Sequence, residues 1–323
     1  MALVLAGRPR EEARPQQAQK VPTHQFGRSA NVRAMPYLLL APFGLLFLTA
    51  VVAPLVYAVY TSLFTHQLIG GTTFAGFANY EQALGSPVLW GAIARVLAYG
   101  AIEVPVMLAL ALGFATVIDL GLTLWGPVWR IVYFLPYAVP AAVSTLMWGF
   151  MLEPHFGPFD QIATYLGLAQ PQFLSPGAIL PSVGAISLWE TVGFNMLIFY
   201  TALRGIPPEL TEAAVLDGAK LRDVIWRVRL PLLKKAAVLT LFLALIGTLQ
   251  LFTEPFLLAT VSSSVNSNLT PNMYIYHSAF SAEENNYAAA VSIILAVLAA
   301  LAVVVALVVR RRASTSRVPP RRA

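Results

Sequence analysis

The chain has no cysteine among its 323 residues, and only 11% of them are charged. The first absence excludes disulfide staples, thiolate metal sites and cysteine nucleophiles. The second sets the chain apart from ordinary soluble domains, which are about 25% charged. With 58% hydrophobic residues, this is the composition of a membrane protein. Metal-ligand spacing is also missing. His66, His155 and His277 are scattered and form no H-E-x-x-H pattern, so they read as surface histidines. No nucleophile–base constellation stands out. No G-x-x-x-x-G-K-[ST] stretch occurs, so the chain has no phosphate-cradling loop of its own. The apolar run at residues 2–6 is too short for the core of a signal peptide, and no small-residue cleavage site follows it.

What is present is a series of long apolar runs. A transmembrane helix needs roughly 20 mostly apolar residues. Six stretches qualify: residues 36–64, 88–119, 130–152, 178–203, 236–260 and 287–309. The expected fold is all-α, a polytopic membrane helical bundle of six spans occupying residues 35–310, and no internal repeat is evident. Proline recurs inside the spans (Pro42, Pro54, Pro105, Pro136, Pro140, Pro181 and Pro255). Neighbouring helices in a bundle can satisfy the backbone groups that proline frees, so kinked helices are expected. Residues 1–34 carry Arg8, Arg10, Arg14, Lys20, Arg28 and Arg33 among proline and glutamine and read as a disordered tail. Residues 311–323 read as a short basic tail.

The loops fix an orientation. Residues 65–87, 153–177 and 261–286 hold acids (Glu81, Glu153, Asp160, Glu283 and Glu284) and no Lys or Arg. Every Lys and Arg except Arg95 falls on the other side. The positive-inside rule then places both termini and residues 204–235 in the cytoplasm. This one-sided distribution accounts for the formal charge of +6 and removes the case for a nucleic-acid partner. On the outer side, two prolines and Gly157 shape a turn at residues 153–158, and residues 159–168 suit a short interfacial helix. Residues 261–286, with Ser262, Asn266, Asn268 and Asn272, read as a flexible polar connector.

The loop at 204–235 is the longest cytoplasmic interval between spans. Pro207-Pro208 suits a helix start, because the first helical N–H groups lack partners anyway. Glu209 and Glu212 sit toward the positive end of that helix dipole. Ala213 and Ala214 present little bulk, and Gly218 breaks the helix. Leu221, Val224, Ile225 and Val228 then fall at i, i+3, i+4 and i+7, an amphipathic second helix, with Arg222, Asp223, Arg227 and Arg229 off its stripe. Such a loop can lie on the anionic inner leaflet or dock on a protein. The alanine pair and Gly218 favour docking, since a lipid-surface helix carries larger apolar residues there.

Four charged residues lie within spans: Arg95, Glu103, Glu190 and Glu254. Each costs on the order of 2.5–3.5 kcal/mol at the bilayer centre, so each needs a partner or water. They mark either a solute path or interhelical pairs. Depth alone suggests that Arg95 pairs with Glu254. Glu190 lies beside Trp189 and near Asn195, and an aromatic face with polar groups suits a sugar. Gln250 joins this candidate path.

Glu212-Ala213-Ala214-x-x-Asp217-Gly218-Ala219, followed by Ile225, Val228 and Leu230-Pro231, resembles the EAA loop of bacterial binding-protein-dependent ABC importer permeases. Residues 129–136, Trp148 and 153–157 resemble the third span and outer turn of the carbohydrate-uptake branch. Residues 193–199 and 203–207 resemble its fourth span, and Leu251-Phe252, Pro255, 274–276 and 279–280 its later segments. The resemblance covers roughly residues 36–310. Ile225 and Val228 stand for the more usual Phe and Ile, and Arg95 for an uncharged polar residue. The resemblance implies a type I importer permease fold in the bacterial inner membrane. It implies that Glu212, Ala213, Ala214, Asp217 and Gly218 form the surface that couples to an ABC ATPase dimer. ATP and Mg would bind that ATPase, with no cofactor on this chain. It further implies a second, homologous permease, an extracytoplasmic solute-binding protein, and a sugar or polyol as solute. Other solutes (an amino acid, a polyamine or phosphate) stay open, as does a proton-coupled transporter with Glu103 or Glu190 as relay.

Overall fold

A computed structural model describes residues 30–67 and 70–315. Most of the two expected tails, residues 1–29 and 316–323, lies outside the described residues. Their remaining residues, 30–34 and 311–315, lie in helices: α1 begins at Ala30 and the last helix runs to Thr315. The chain divides into two compact units between Pro54 and Leu55.

In the first unit, α1 (Ala30–Phe47) leads into a widened, π-type turn at Leu48–Val52. There the Ala53 N–H donates to the Leu48 carbonyl, five residues back. Pro54 follows at once. It has no N–H, and its ring crowds the carbonyl four residues earlier.

The second unit begins within α2 (Ala53–Ser62). A two-stranded antiparallel hairpin follows, β1 (Phe64–Gln67) and β2 (Gly71–Phe74), with Phe64 opposite Phe74. Reading the chain as all-α missed it. Its signal was Gly70-Gly71, both with positive φ, next to the β-branched pair Thr72-Thr73. After α3 (Ala78–Leu84) comes α4 (Pro87–Asp119). Ser86 caps α4 by accepting the Leu89 N–H at 3.3 Å, and Pro87 takes the first turn. Its 33 residues extend about 50 Å at 1.5 Å each, more than the roughly 30 Å hydrocarbon core.

The expected third span is broken. α5 (Gly126–Phe134) and a tight turn at Leu135–Ala138 end at Pro140, and α6 (Ala141–Leu152) departs at 95°. Proline disfavours helix in the residue before it, and Val139 is extended accordingly (ψ 130°). The short outer helix α7 (Pro158–Tyr165) lies where residues 159–168 were expected to form one. α8 (Ile179–Arg204) is continuous. α9 (Pro208–Leu216), α10 (Leu221–Asp223), a π-type turn at Val224–Arg229 and α11 (Leu230–Leu232) make the loop.

α12 (Lys234–Leu249) stops at Gln250 and resumes as α13 (Thr253–Leu258), so the expected fifth span is also interrupted. α14 (Pro271–Tyr276) and α15 (Asn285–Thr315) complete the chain. Among the described residues, five helical segments are long and apolar enough to cross a membrane: Met35–Ser62, Pro87–Asp119, Ile179–Arg204, Lys234–Leu258 and Asn285–Val304. The bent pair makes six if it counts as one span.

Residues 261–270 are not the flexible connector their polarity suggested. Val265 and Leu269 are buried, and Ser262 donates to the Leu174 carbonyl at 2.8 Å. Asn272, in α14, donates to the Leu249 carbonyl at 3.1 Å.

The long helices pack through small residues. α4 and α8 lie together along their lengths, with Ala111 and Ala115 of α4 fully buried. A Cβ on Gly193 of α8 would overlap the Tyr133 carbonyl, so only glycine allows α5 that close. A Cβ on Gly100 of α4 would meet the Thr248 methyl of α12 at 2.5 Å. Small residues are the usual means of close helix approach in membranes, where lipid supplies no hydrophobic drive between helices. Three apolar clusters result among the described residues, and two of them flank the candidate functional site. One includes Tyr99, Ile186, Leu251 and Leu258, and the other Met107, Met196, Phe199 and Leu233.

Candidate functional site

Between these clusters the helix faces turn polar. On α4, Tyr99 belongs to one cluster and Met107 to the other, and Glu103 lies between them. On α8, Ser187, Thr191 and Asn195 lie between Ile186 and Met196. On α12, Thr248 lies between Leu233 and Leu251. These three faces enclose a cavity of about 460 Å³, also lined by Tyr137, Phe194, Gln250, Thr253 and Glu254. Four-residue spacing puts Tyr99, Glu103 and Met107 on one face of α4, and Ser187, Thr191 and Asn195 on one face of α8. Ser187 donates to Glu103 at 3.4 Å. Tyr137 and Phe194 stack with ring centroids 4.6 Å apart and form an apolar wall.

The wall carries unmet hydrogen-bonding capacity. Tyr99 Oη, Asn195 Oδ1 and Thr248 Oγ1 are buried and have no partner in the described residues. Each such group costs about 1–3 kcal/mol when left unpaired. A polar guest or ordered water would satisfy all three.

Of the six intramembrane residues singled out from sequence, the cavity collects four: Glu103, Asn195, Gln250 and Glu254. Glu190 does not line the cavity, although its carboxyl lies beside that of Glu254, which does. It is 7% exposed and accepts a hydrogen bond from Ser144 of α6, so it fastens the broken third span to α8. Trp189 beside it packs edge-on against Trp148 at 5.7 Å rather than lining the cavity. Arg95 does not pair with Glu254. Its guanidinium donates to the Leu269 carbonyl at 3.3 Å and to the Asn268 carbonyl, holding the outer loop. Depth along a span cannot show this, because a backbone carbonyl carries no sequence signal. Tyr99, Tyr137, Phe194, Ser187, Thr191, Thr248 and Thr253 were missed. The four-residue spacing of Ser187, Thr191 and Asn195 is the clue that could have found the polar stripe.

The loop at 204–235 has the expected start and break. Pro207 precedes α9, and Gly218 ends it with φ +84°. The Ala219 N–H reaches the Ala214 carbonyl at 3.0 Å and the Gly218 N–H the Val215 carbonyl at 2.9 Å. This pair of bonds is a Schellman ending, which favours glycine at the left-handed position. Glu212, Ala213, Asp217 and Gly218 are exposed and Ala214 is half-buried. Leu216, 88% exposed, and Val215 stand beside them.

The second half of the loop departs from expectation. Val224 is buried and Ile225 and Val228 are half-buried, but Leu221 is exposed, because α10 begins there and nothing covers its first turn. Arg229, expected off the stripe, points inward. Its Nη1 lies 2.5 Å from Asp119 Oδ2, with side-chain exposures of 17% and 6%. The bridge ties the loop to the last residue of α4, the helix that carries Tyr99 and Glu103.

The family model for binding-protein-dependent transport system inner membrane components matches residues 123–315, from just before α5 to the end of α15. The chain belongs to this family. As an inner membrane component it is a transport subunit and not an enzyme. The sulfoquinovosyl glycerol permease SmoG of Agrobacterium fabrum is 30% identical over 252 residues, 77% of this chain and 81% of that protein. The arabinooligosaccharide permease AraP of Bacillus subtilis is 29% identical over 263 residues, 79% and 82% of the two chains. The fold is that of a chain from a bacterial ABC transporter involved in the import of the acidic polysaccharide alginate. The TM-score is 0.77 over 88% of this chain and 97% of that one, at 22% identity. The inner membrane component match takes in the whole of the 204–235 loop, together with α8, α12 and their share of the cavity wall.

Proposed function

We propose that the chain is the permease subunit of an ATP-driven importer for a saccharide or related polyol, delivered by an extracytoplasmic binding protein. The solute passes through the cavity between α4, α8 and α12. The observation that carries this reading is the cavity wall itself. Three buried, unpartnered polar atoms face a stacked aromatic pair. Hydroxyls of a sugar would satisfy the former, and its C–H face would lie on the latter. The arabinooligosaccharide permease named above supports the solute class.

The exposed surface of Glu212, Ala213, Ala214, Asp217 and Gly218 docks on one subunit of an ATPase dimer. ATP and Mg bind there, and this chain binds no cofactor. A second, homologous permease completes the membrane core in the bacterial cytoplasmic membrane. Both termini and the 204–235 loop face the cytoplasm, in keeping with the one-sided Lys and Arg distribution.

The test is reconstitution in proteoliposomes of this chain with a cognate ATPase and a second permease, plus a binding protein loaded from a saccharide panel. The expected result is saccharide uptake that needs internal ATP and all components. Accumulation driven by a pH gradient without ATP, or uptake of amino acids or phosphate in place of saccharides, would overturn the reading.

A further inference from the structure

The charge of the cavity has a consequence for which saccharides pass. Glu103 and Glu254 both line it, and among the described lining residues there is no Lys, Arg or His. The other polar groups in the wall are hydroxyls and amides. Tyr99, Asn195 and Thr248 are each more than nine-tenths buried, and each turns an unpartnered oxygen to this region. The site is thus built for a ligand, and its carboxyl groups face no cation.

We propose that Glu103 and Glu254 are specificity-determining residues that admit uncharged and cationic hydroxyl-bearing solutes and exclude anionic ones. The inference rests on the saccharide reading above. An ionised carboxylate is acceptor-only. Its complements are sugar hydroxyls, which donate, or an ammonium, which donates and carries the opposite charge. A carboxylate, sulfonate or phosphate on the guest is acceptor-only as well. It would meet two acids with no cation between them, and like charges brought together at a binding surface cost several kcal/mol. Rejecting a wrong partner by repulsion is a general route to specificity. Ser187 fixes Glu103 by donating to it, and Glu254 stands at the start of α13, just past the break in the fifth span. The two acids therefore approach the guest from different helices, and a bound anion would face both.

The test uses this chain co-purified with its ATPase and partner permease, without the binding protein, so that only the membrane core is read. Saturation-transfer NMR is recorded with methyl α-glucoside, glucosamine and glucuronate. The expected result is transfer to the first two, and transfer to glucuronate weaker by at least about tenfold. In the Glu103→Gln, Glu254→Gln double variant, glucuronate rises to the level of methyl α-glucoside. Glu103→Asp keeps the charge and keeps the exclusion. Co-elution with the ATPase establishes that each variant is folded, and Glu254→Gln alone reads the same effect in part if the double variant fails that criterion. Equal transfer to glucuronate and methyl α-glucoside in the unmodified complex would overturn the inference, as would unchanged exclusion in a folded double variant. Absence of transfer to methyl α-glucoside in the unmodified complex would instead contradict the saccharide reading on which the inference rests.

Discussion

Arg229 and Asp119 meet at 2.5 Å although 110 residues separate them. The first closes the cytoplasmic loop and the second ends α4. Glu103 lies 16 positions before Asp119 on that helix, about 24 Å away along its axis at 1.5 Å per residue. A packed helix is stiff over that length, so a push on the loop has a direct route to the cavity wall. Removing one member of a fully buried ion pair costs about 3–5 kcal/mol, because the other charge is left uncompensated, and this pair, part-buried, falls below that. Arg229→Ala is therefore expected to reduce ATP-driven uptake strongly while the ATPase still co-purifies. The exchange Arg229→Asp with Asp119→Arg should restore part of the transport. A purely local packing role would show no such rescue, and paired uptake and ATPase assays distinguish the two.

Gly218 tests the other half of the loop. A Cβ there would meet nothing within 4 Å, but φ is +84°. The strain is in the backbone and amounts to about 1–2 kcal/mol for an ordinary L-residue. Gly218→Val should leave insertion and expression intact and abolish uptake. Gly218→Asn should be milder, since asparagine tolerates this ending. Immunoblotting of membranes beside transport assays measures both.

Gly193 and Gly113 predict opposite outcomes for one substitution. At Gly193 a Cβ overlaps the Tyr133 carbonyl, and at Gly113 nothing lies within 4 Å. Gly193→Ala should destabilise by at least the roughly 1–3 kcal/mol of overpacking. Gly113→Ala should be neutral or slightly stabilising. Thermal unfolding of the purified protein in detergent gives the comparison.

Arg95→Ala removes the donors that hold the Asn268 and Leu269 carbonyls. Amide hydrogen exchange in residues 261–270 should accelerate, while exchange along α8 stays unchanged. Unchanged exchange at 261–270 would show that Leu269 and Val265 packing alone holds the loop.

These residues also show what sequence carries and what it does not. Spans, the loop start at Pro207 and the break at Gly218 were legible because each depends on local chemistry: apolar run length, a missing N–H, a left-handed φ. The bend at Pro140 was legible as a kink but not as a 95° turn, since the angle depends on what each half packs against. The break at Gln250 was legible only as a kink: Gly247 and Pro255 flank it, but neither stands at the residues where α12 stops and α13 resumes. Arg229 was misplaced because an amphipathic count assigns faces only to apolar residues, and an inward arginine is recognised only once Asp119 is beside it. The outer loop misled for a related reason. Its serines and asparagines bond to backbone carbonyls of distant segments, and such partners leave no trace in composition.

The central claim is that the cavity between α4, α8 and α12 is the solute path. The chain has no cysteine, so a single introduced cysteine is the only thiol on it, and labelling is read on this chain's band. The most direct measurement places one at Thr191, in the cavity wall, and one at Ala185, on an exposed face of the same helix. Each is treated with a membrane-impermeant thiol reagent from either side of proteoliposomes holding the full transporter, with and without ATP and vanadate. The account predicts that Thr191→Cys reacts from the cytoplasmic side without nucleotide and from the outer side when vanadate is trapped, while Ala185→Cys does not change sides. Reaction of Thr191→Cys that is absent, or that is the same in both states, would contradict it.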